Sequence, residues 1–284
     1  MNSENNILNI AAYKFTPLAD LPALREDLRA QCAAAGLKGT ILIAPEGINL
    51  FLAGAPEKLE GFLARLLADA RFAGMPVKQS LSAEQPFNRM LVKIKREIIT
   101  MRRPDINPAT APAPRLAPAT LKQWLDEGRE LVLLDTRNDF EVALGTFDNA
   151  LGLDITSFGD FPKAVEQLAL EGKTVVSFCT GGIRCEKAAP LLIANGLTDV
   201  YQLDGGILKY FEDCGGAHWR GECFVFDKRV ALGPDLTETR TTQCYACQAV
   251  LTMAEQRSPD YVCGKQCPRC KDKAAKTAAA QRGA

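Results

Sequence analysis

The residues best placed to do chemistry lie in one short stretch, Ser177-Phe-Cys179-Thr180-Gly181-Gly182-Ile183-Arg184-Cys185. An apolar run, Thr174 to Phe178, predicts a buried strand before it, and Glu186 to Asn195 predicts a helix after it. The two glycines let the intervening loop curl until backbone N–H groups point inward at a helix N-terminus, making a nest for an anion. A thiol there loses its proton readily, because the N–H groups, the helix dipole and the Arg184 guanidinium all favour the thiolate. Cys179 is therefore the candidate nucleophile and Arg184 its electrostatic partner, with a sulfur expected to be open to solvent. The competing reading is an inert cysteine beside a tight turn, which needs neither the glycines nor the guanidinium. Cys185 has two readings: a thiol that resolves a persulfide or disulfide on Cys179, or a small residue facing the helix packing.

A second constellation is Cys244-Tyr-Ala-Cys247 followed, after nineteen residues, by Cys267-Pro-Arg-Cys270. Two such knuckles suit a tetrahedral zinc ion, and four thiolates leave no open position, so the site would be structural. Cys263 is an alternative to Cys267, at a poorer spacing. His218 is the single histidine, which argues against a Cys–His pair and excludes a two-histidine iron site. No flavin or nicotinamide fingerprint is present.

With 284 residues, 47% hydrophobic and 24% charged, the chain has the composition of a globular protein of two or three domains. Its polar first residues do not read as a signal peptide, and no apolar run reaches the length of a membrane span. Ten cysteines without such a signal favour metal binding or catalysis over disulfides, and place the chain in the cytoplasm. The formal charge is zero overall but runs +3, −6 and +3 over residues 1–110, 111–220 and 221–284. An acidic middle between basic flanks is compatible with a nucleic-acid partner.

The elements that must position these residues fall into blocks. Residues 1–101 predict a βαββαβ, ferredoxin-like domain, with helices at Leu21–Ala35 and Pro56–Ala70 and strands at Ile7–Phe15, Gly39–Ala44, Ile48–Ala53, Met75–Leu81 and Met90–Thr100. Glu46 and Asn49 sit at its Pro45-Glu-Gly turn. Arg89, Lys93 and Lys95 share a strand face by the period of two, forming a stripe that either tracks phosphates or is simply solvated. Residues 102–119, rich in proline, predict a semi-rigid linker. Residues 120–220 alternate strand and helix, implying a parallel sheet covered on both faces, with a helix over Phe161–Leu170. Asp135 and Arg137 are expected to buttress the cysteine loop as an ion pair. Residues 221–284 form the cysteine-rich module and a Lys/Ala-rich tail expected to fray, and the Trp219–Leu232 segment is expected to pack back as a strand.

The loop around Cys179 resembles the active-site loop of rhodanese domains, whose cysteine carries a persulfide. Asp135-Thr-Arg137 through Ala150 and Leu203-Asp-Gly-Gly-Ile207 are similar to further rhodanese segments. Together with Glu46-Gly-Ile-Asn49, Trp219-Arg-Gly-Glu-Cys-Phe-Val-Phe-Asp227 and the four-cysteine knot, residues 7–270 resemble the bacterial rhodanese-domain tRNA uridine hydroxylase family. The resemblance implies oxygen-dependent hydroxylation of the wobble uridine at C5 in the anticodon loop of tRNA, with molecular oxygen as co-substrate and Cys179 as the essential residue. Arg89, Lys93, Lys95 and Glu46 are then candidate substrate contacts. The loop alone fits a persulfide-carrying sulfurtransferase equally well. A non-catalytic RNA-binding scaffold is the third reading, and such a scaffold has no use for the glycine nest.

Overall fold

The computed structural model describes residues 7–244, 246–263 and 265–271; the expected fraying of the tail falls, apart from Lys271, outside these residues. The N-terminal unit runs β1 (Ile7–Phe15), α1 (Leu21–Ala34), β2 (Lys38–Ala44), β3 (Gly47–Gly54), α2 (Pro56–Ala68), β4 (Val77–Ser82) and β5 (Met90–Ile94). Its sheet has the order β4-β1-β3-β2-β5, the ferredoxin-like order with β5 added parallel to β2. Leu59, Phe62, Leu63 and Leu66 of α2 are buried; their helical spacing makes one apolar face. That face covers Ile10, Ile41, Ile43, Ile48, Leu50 and Leu52, and each such side chain contributes on the order of 1.5–3 kcal/mol by leaving water. Gly36, at φ +65°, stops α1 beyond its last turn.

Because strand side chains alternate, the other face of this sheet carries Asn9, Ala11 and Tyr13 of β1, beside Ser80 and Lys78 of β4. This polar face meets the second unit. At the same junction Lys187, 1% exposed, binds Glu46 at 2.8 Å and Glu97 at 2.7 Å.

The second unit is a parallel four-stranded sheet of order β6-β10-β9-β7. Its elements are β6 (Arg115–Leu116), α3 (Pro118–Asp126), β7 (Val132–Asp135), α4 (Asp139–Leu144), β8 (Gly145–Phe147), α5 (Phe161–Val165), β9 (Val175–Phe178), α6 (Cys185–Ala194), β10 (Val200–Leu203) and α7 (Gly206–Cys214). All four residues of β9 are buried, as a central strand covered on both faces requires. The helix expected to reach Leu170 stops at Val165, and the strand expected to reach Thr100 stops at Ile94.

The proline-rich stretch packs against this unit. Ile106 and Ala113, with the preceding Met101, are buried in its core, and Arg115–Leu116 forms an edge strand, the place where a sheet tolerates nearby prolines. On the far side, β11 (Trp219–Gly221) pairs antiparallel with β8, so the Trp219 segment packs back onto the body. Beyond it lie the short pairs β12 (Cys223–Phe224) with β13 (Ala231–Leu232) and β14 (Thr242–Gln243) with β15 (Val250–Leu251).

Candidate active site

Cys179 follows β9, and its loop closes into α6. Gly182, at φ +97°, turns its N–H onto the Cys179 sulfur at 3.2 Å. Gly205 and Gly206 enter α7 beneath the loop; a Cβ on Gly206 would stand 2.4 Å from the Cys179 carbonyl oxygen. That close approach lets the N–H of Ile207 reach the Cys179 carbonyl at 3.0 Å and that of Leu208 reach Thr180 at 3.1 Å. The loop is thus hung from the start of α7 as well as from β9.

Burial alone would push the Cys179 thiol up. The Cys185 thiol donating to it, the Arg184 guanidinium and the N–H groups of Arg184 and Gly182 outweigh that and bring it down to about 5. Cys185 moves the opposite way: burial, then its donation to the Cys179 sulfur, hold it protonated. Its sulfur lies 3.8 Å from the Thr136 hydroxyl.

Arg184 does not point a free guanidinium into the loop. It is clamped by Glu141 at 2.6 and 2.8 Å, and both side chains are nearly inaccessible. Burial raises the Glu141 carboxyl, but the guanidinium overcomes it and keeps the group ionised. Thr180 lies 3.4 Å from the Glu141 carboxylate and from the Phe224 carbonyl. Behind the loop, Asp135 and Arg137 are both fully buried and paired at 2.6 Å; the Arg137 guanidinium also donates to the Gly145 carbonyl at 2.6 Å. The ion pair expected of these two residues is present.

The expectation of an open sulfur is overturned: Cys179 is 0% exposed. The polar face of the N-terminal sheet lies across the loop. Lys78 donates to the carbonyls of Gly181 and Gly205, and the Tyr13 hydroxyl, donating to Glu186 at 3.1 Å, stands 2.9 Å from where a Gly182 Cβ would be. Neither residue stood out in the sequence. The available signal was the alternation in β1 and β4, which sets polar side chains opposite the apolar core.

Glu46 is not in the cysteine site. Its carboxylate accepts from the Ile98 N–H at 2.7 Å and holds Lys187, so it ties the two units together. Arg89, Lys93 and Lys95 are exposed; Lys93 lies in β5 and the other two flank it. Arg89 also lines a groove of about 380 Å³ between the β5 edge and the Phe224–Lys228 segment, with Phe87, Leu91 and Phe226. Phe226, 51% exposed, has its ring 5.8 Å from the Arg184 guanidinium carbon. The groove therefore borders the cysteine loop, and an exposed aromatic of this kind can stack on a base.

Cys244, Cys247, Cys267 and Cys270 converge, with all sulfurs within 4.8 Å of one another. The separations of 3.9, 3.6 and 3.7 Å for Cys244–Cys270, Cys247–Cys267 and Cys267–Cys270 match the ~3.8 Å edge of a tetrahedron with Zn–S bonds near 2.3 Å. The cluster can hold a metal ion. Cys263 is exposed and outside it, and His218 binds Asp126 at 2.7 Å.

A rhodanese-fold unit with its cysteine loop intact, joined to an acylphosphatase-like unit and a four-thiol knot, defines the class. Residues 7–98 match the UPF0176 acylphosphatase-like domain family and residues 117–213 the rhodanese-like domain family. The chain is 60% identical over 279 residues to the tRNA uridine(34) hydroxylase of Cupriavidus taiwanensis, covering 95% of this chain and 99% of that one. Proteins of the same name from Ralstonia nicotianae and Paraburkholderia xenovorans are 56% and 55% identical, covering 96% and 93% of this chain and 99% and 96% of theirs. The chain belongs to the tRNA uridine(34) hydroxylase family.

The thiolate has a measurable consequence. The folded-state value of Cys179, about 5, lies below that of an unfolded thiol, about 8.5. Its ionisation therefore stabilises the fold fully above the unfolded value, and that contribution is lost as pH falls through the folded one. Denaturant titrations should show the stability advantage of the wild type over Cys179→Ser shrinking between about pH 8.5 and about pH 5. A difference constant across that window would mean the sulfur stays protonated.

Proposed function

We propose that this protein hydroxylates the uridine at position 34 of tRNA, at C5 and with molecular oxygen, using Cys179. The full-length identity to tRNA uridine(34) hydroxylases carries the reading. The site chemistry agrees with it: an ionised sulfur can add to C6 of the uracil ring, making C5 electron-rich toward oxygen. The loop N–H groups and Arg184 then face the charge that develops on a ring carbonyl. Because Arg184 is already neutralised by Glu141, the N–H groups bear most of that role. A base reaches the sulfur only when the cover formed by Tyr13 and Lys78 moves aside.

An anticodon loop supplies unstacked bases. Phe226 and the groove beside it offer a stacking surface, and Arg89, Lys93 and Lys95 continue from its edge as phosphate contacts. The four-cysteine knot holds a structural Zn²⁺. Among the described residues no helix is long and apolar enough to cross a membrane, and a tRNA substrate places the enzyme in the cytoplasm.

Three outcomes are expected. Nucleosides from cells carrying only Cys179→Ser should contain no more wobble hydroxyuridine than cells lacking the protein, and hydroxylation at the normal level would remove Cys179 from the mechanism. Thiosulfate-to-cyanide transfer, assayed in parallel, would instead favour a sulfurtransferase. The double variant Lys93→Glu/Lys95→Glu should bind tRNA more weakly, with a log–log salt slope shallower by roughly 1.5; unchanged affinity would leave the stripe merely solvated. Elemental analysis should find one zinc per chain, lost together with the fold of the C-terminal module in Cys270→Ser, and full zinc content in that variant would refute the tetrahedral assignment.

A further inference from the structure

Hydroxylating a C–H bond with molecular oxygen leaves a second oxygen atom to be reduced, which takes two electrons and two protons. A pair of thiols holds both. We propose that Cys179 and Cys185 together are the reductant for each turnover, which makes Cys185 a further catalytic residue. The inference rests on the hydroxylase reading and extends it to the source of electrons.

The placement is specific. Cys185 is the first residue of α6 and is 0% exposed; its N–H binds the Gly182 carbonyl at 3.0 Å while the Gly182 N–H binds the Cys179 sulfur at 3.2 Å, so both cysteines sit on one glycine and each sulfur biases the other's ionisation. The Thr136 hydroxyl, 3.8 Å from the Cys185 sulfur, gives its own hydrogen to the Phe178 carbonyl at 3.0 Å. That hydrogen is thus already spent, and the Thr136 hydroxyl packs against the Cys185 sulfur from one side. The nearby thiol of Cys223 faces elsewhere, onto the Phe224 carbonyl of its own strand at 3.7 Å. Burial shields the pair from bulk oxidants, so that oxidation is confined to what the closed site contains.

The balance closes without another cofactor. Oxygen adds at C5 to give a hydroperoxide; the C5 hydrogen then leaves as a proton, its electron pair re-forms the C5=C6 double bond, and the C6–S bond breaks to release Cys179 as a thiolate. The Cys179 sulfur then attacks the outer peroxide oxygen; the O–O bond breaks, and the inner oxygen stays on C5 as the hydroxyl after taking a proton. Cys179 is left as a sulfenic acid. The Cys185 sulfur attacks the Cys179 sulfur, the S–S bond forms, the S–O bond breaks, and the oxygen departs as water. One C–H, one O₂ and two S–H groups become one C–OH, one water and one disulfide. An external dithiol, by exchange, returns the pair to its reduced state.

The experiment is a single turnover. Fully reduced enzyme, freed of external thiol, is mixed in air with a limiting amount of unmodified tRNA, then quenched and mapped by peptide mass spectrometry. One Cys179–Cys185 disulfide should appear for each hydroxyuridine. The Cys185→Ser variant should still form product in that turnover, but with Cys179 trapped by a sulfenic-acid reagent, and its repeated turnover should slow at least tenfold. If the wild type makes product with both thiols still free, or makes none until a non-thiol electron donor is supplied, the inference is overturned and the hydroxylase reading stands. If no condition yields hydroxyuridine, it is the hydroxylase reading that fails.

Discussion

A negative charge on a sulfur sealed from water is the constraint to which the rest of the structure answers. Moving such a charge out of water costs several kcal/mol unless local dipoles and partners offset it. The offset here is distributed. The Gly182 and Arg184 N–H groups, the Cys185 thiol and the start of α6 all meet the sulfur, while Arg184 is spent largely on Glu141. The pairing matters for more than neutrality. An unpaired guanidinium this deep would itself be costly, and one fixed by two bonds to Glu141 holds the loop's far end in place for the N–H groups that do the work.

The second consequence concerns the N-terminal unit. In an isolated rhodanese fold the cysteine loop would face solvent across the open ends of the parallel strands. Here a second sheet lies over it, and the joint is polar throughout: Tyr13 to Glu186, Lys78 to two loop carbonyls, Arg229 to Ser80 at 2.9 Å, and Lys187 between Glu46 and Glu97. A joint of hydrogen bonds and ion pairs exchanges for water more readily than an apolar one, since water can satisfy each group as it is released. Lys187 is the exception. Buried beside two carboxylates, it is the part of the junction whose separation is most costly, whereas Lys78 and Tyr13 border the sulfur itself.

What was legible in the sequence was local. The strand–loop–helix around Cys179, the apolar face of α2, the ferredoxin-like order and the two cysteine knuckles all follow from short periodicities and fixed spacings, and the Asp135–Arg137 ion pair joins residues two apart. What was not legible lies at long range. Glu141 and Arg184 are separated by 43 residues, Lys78 and Gly181 by 103, and Tyr13 and Glu186 by 173; no period connects them. The open sulfur failed as an expectation for the same reason, because the cover belongs to another domain. Glu46 entered as a candidate substrate contact through the resemblance of its Glu-Gly-Ile-Asn motif, and the ion pair with Lys187 of α6, 141 positions away, that makes it a tie has no local signature. The proline-rich stretch misled through composition: proline forbids a central strand, but the Arg115–Leu116 edge needs hydrogen bonds on one side only.

Sealing and reactivity are compatible once their timing is separated. A thiolate formed early in water would meet oxidants and metals unselectively, whereas one held behind Tyr13 and Lys78 meets only what can displace them. An RNA loop has the right chemistry for the displacement: its phosphates compete for the Lys78 ammonium, which burial already makes a poorer cation, and its bases offer hydrogen-bonding edges to replace the groups Tyr13 and Lys78 give up. The exposed ring of Phe226 stands beside Arg184, next to the loop that this cover protects. Under the proposed reading, the partner that opens the site would also be the one that refills it.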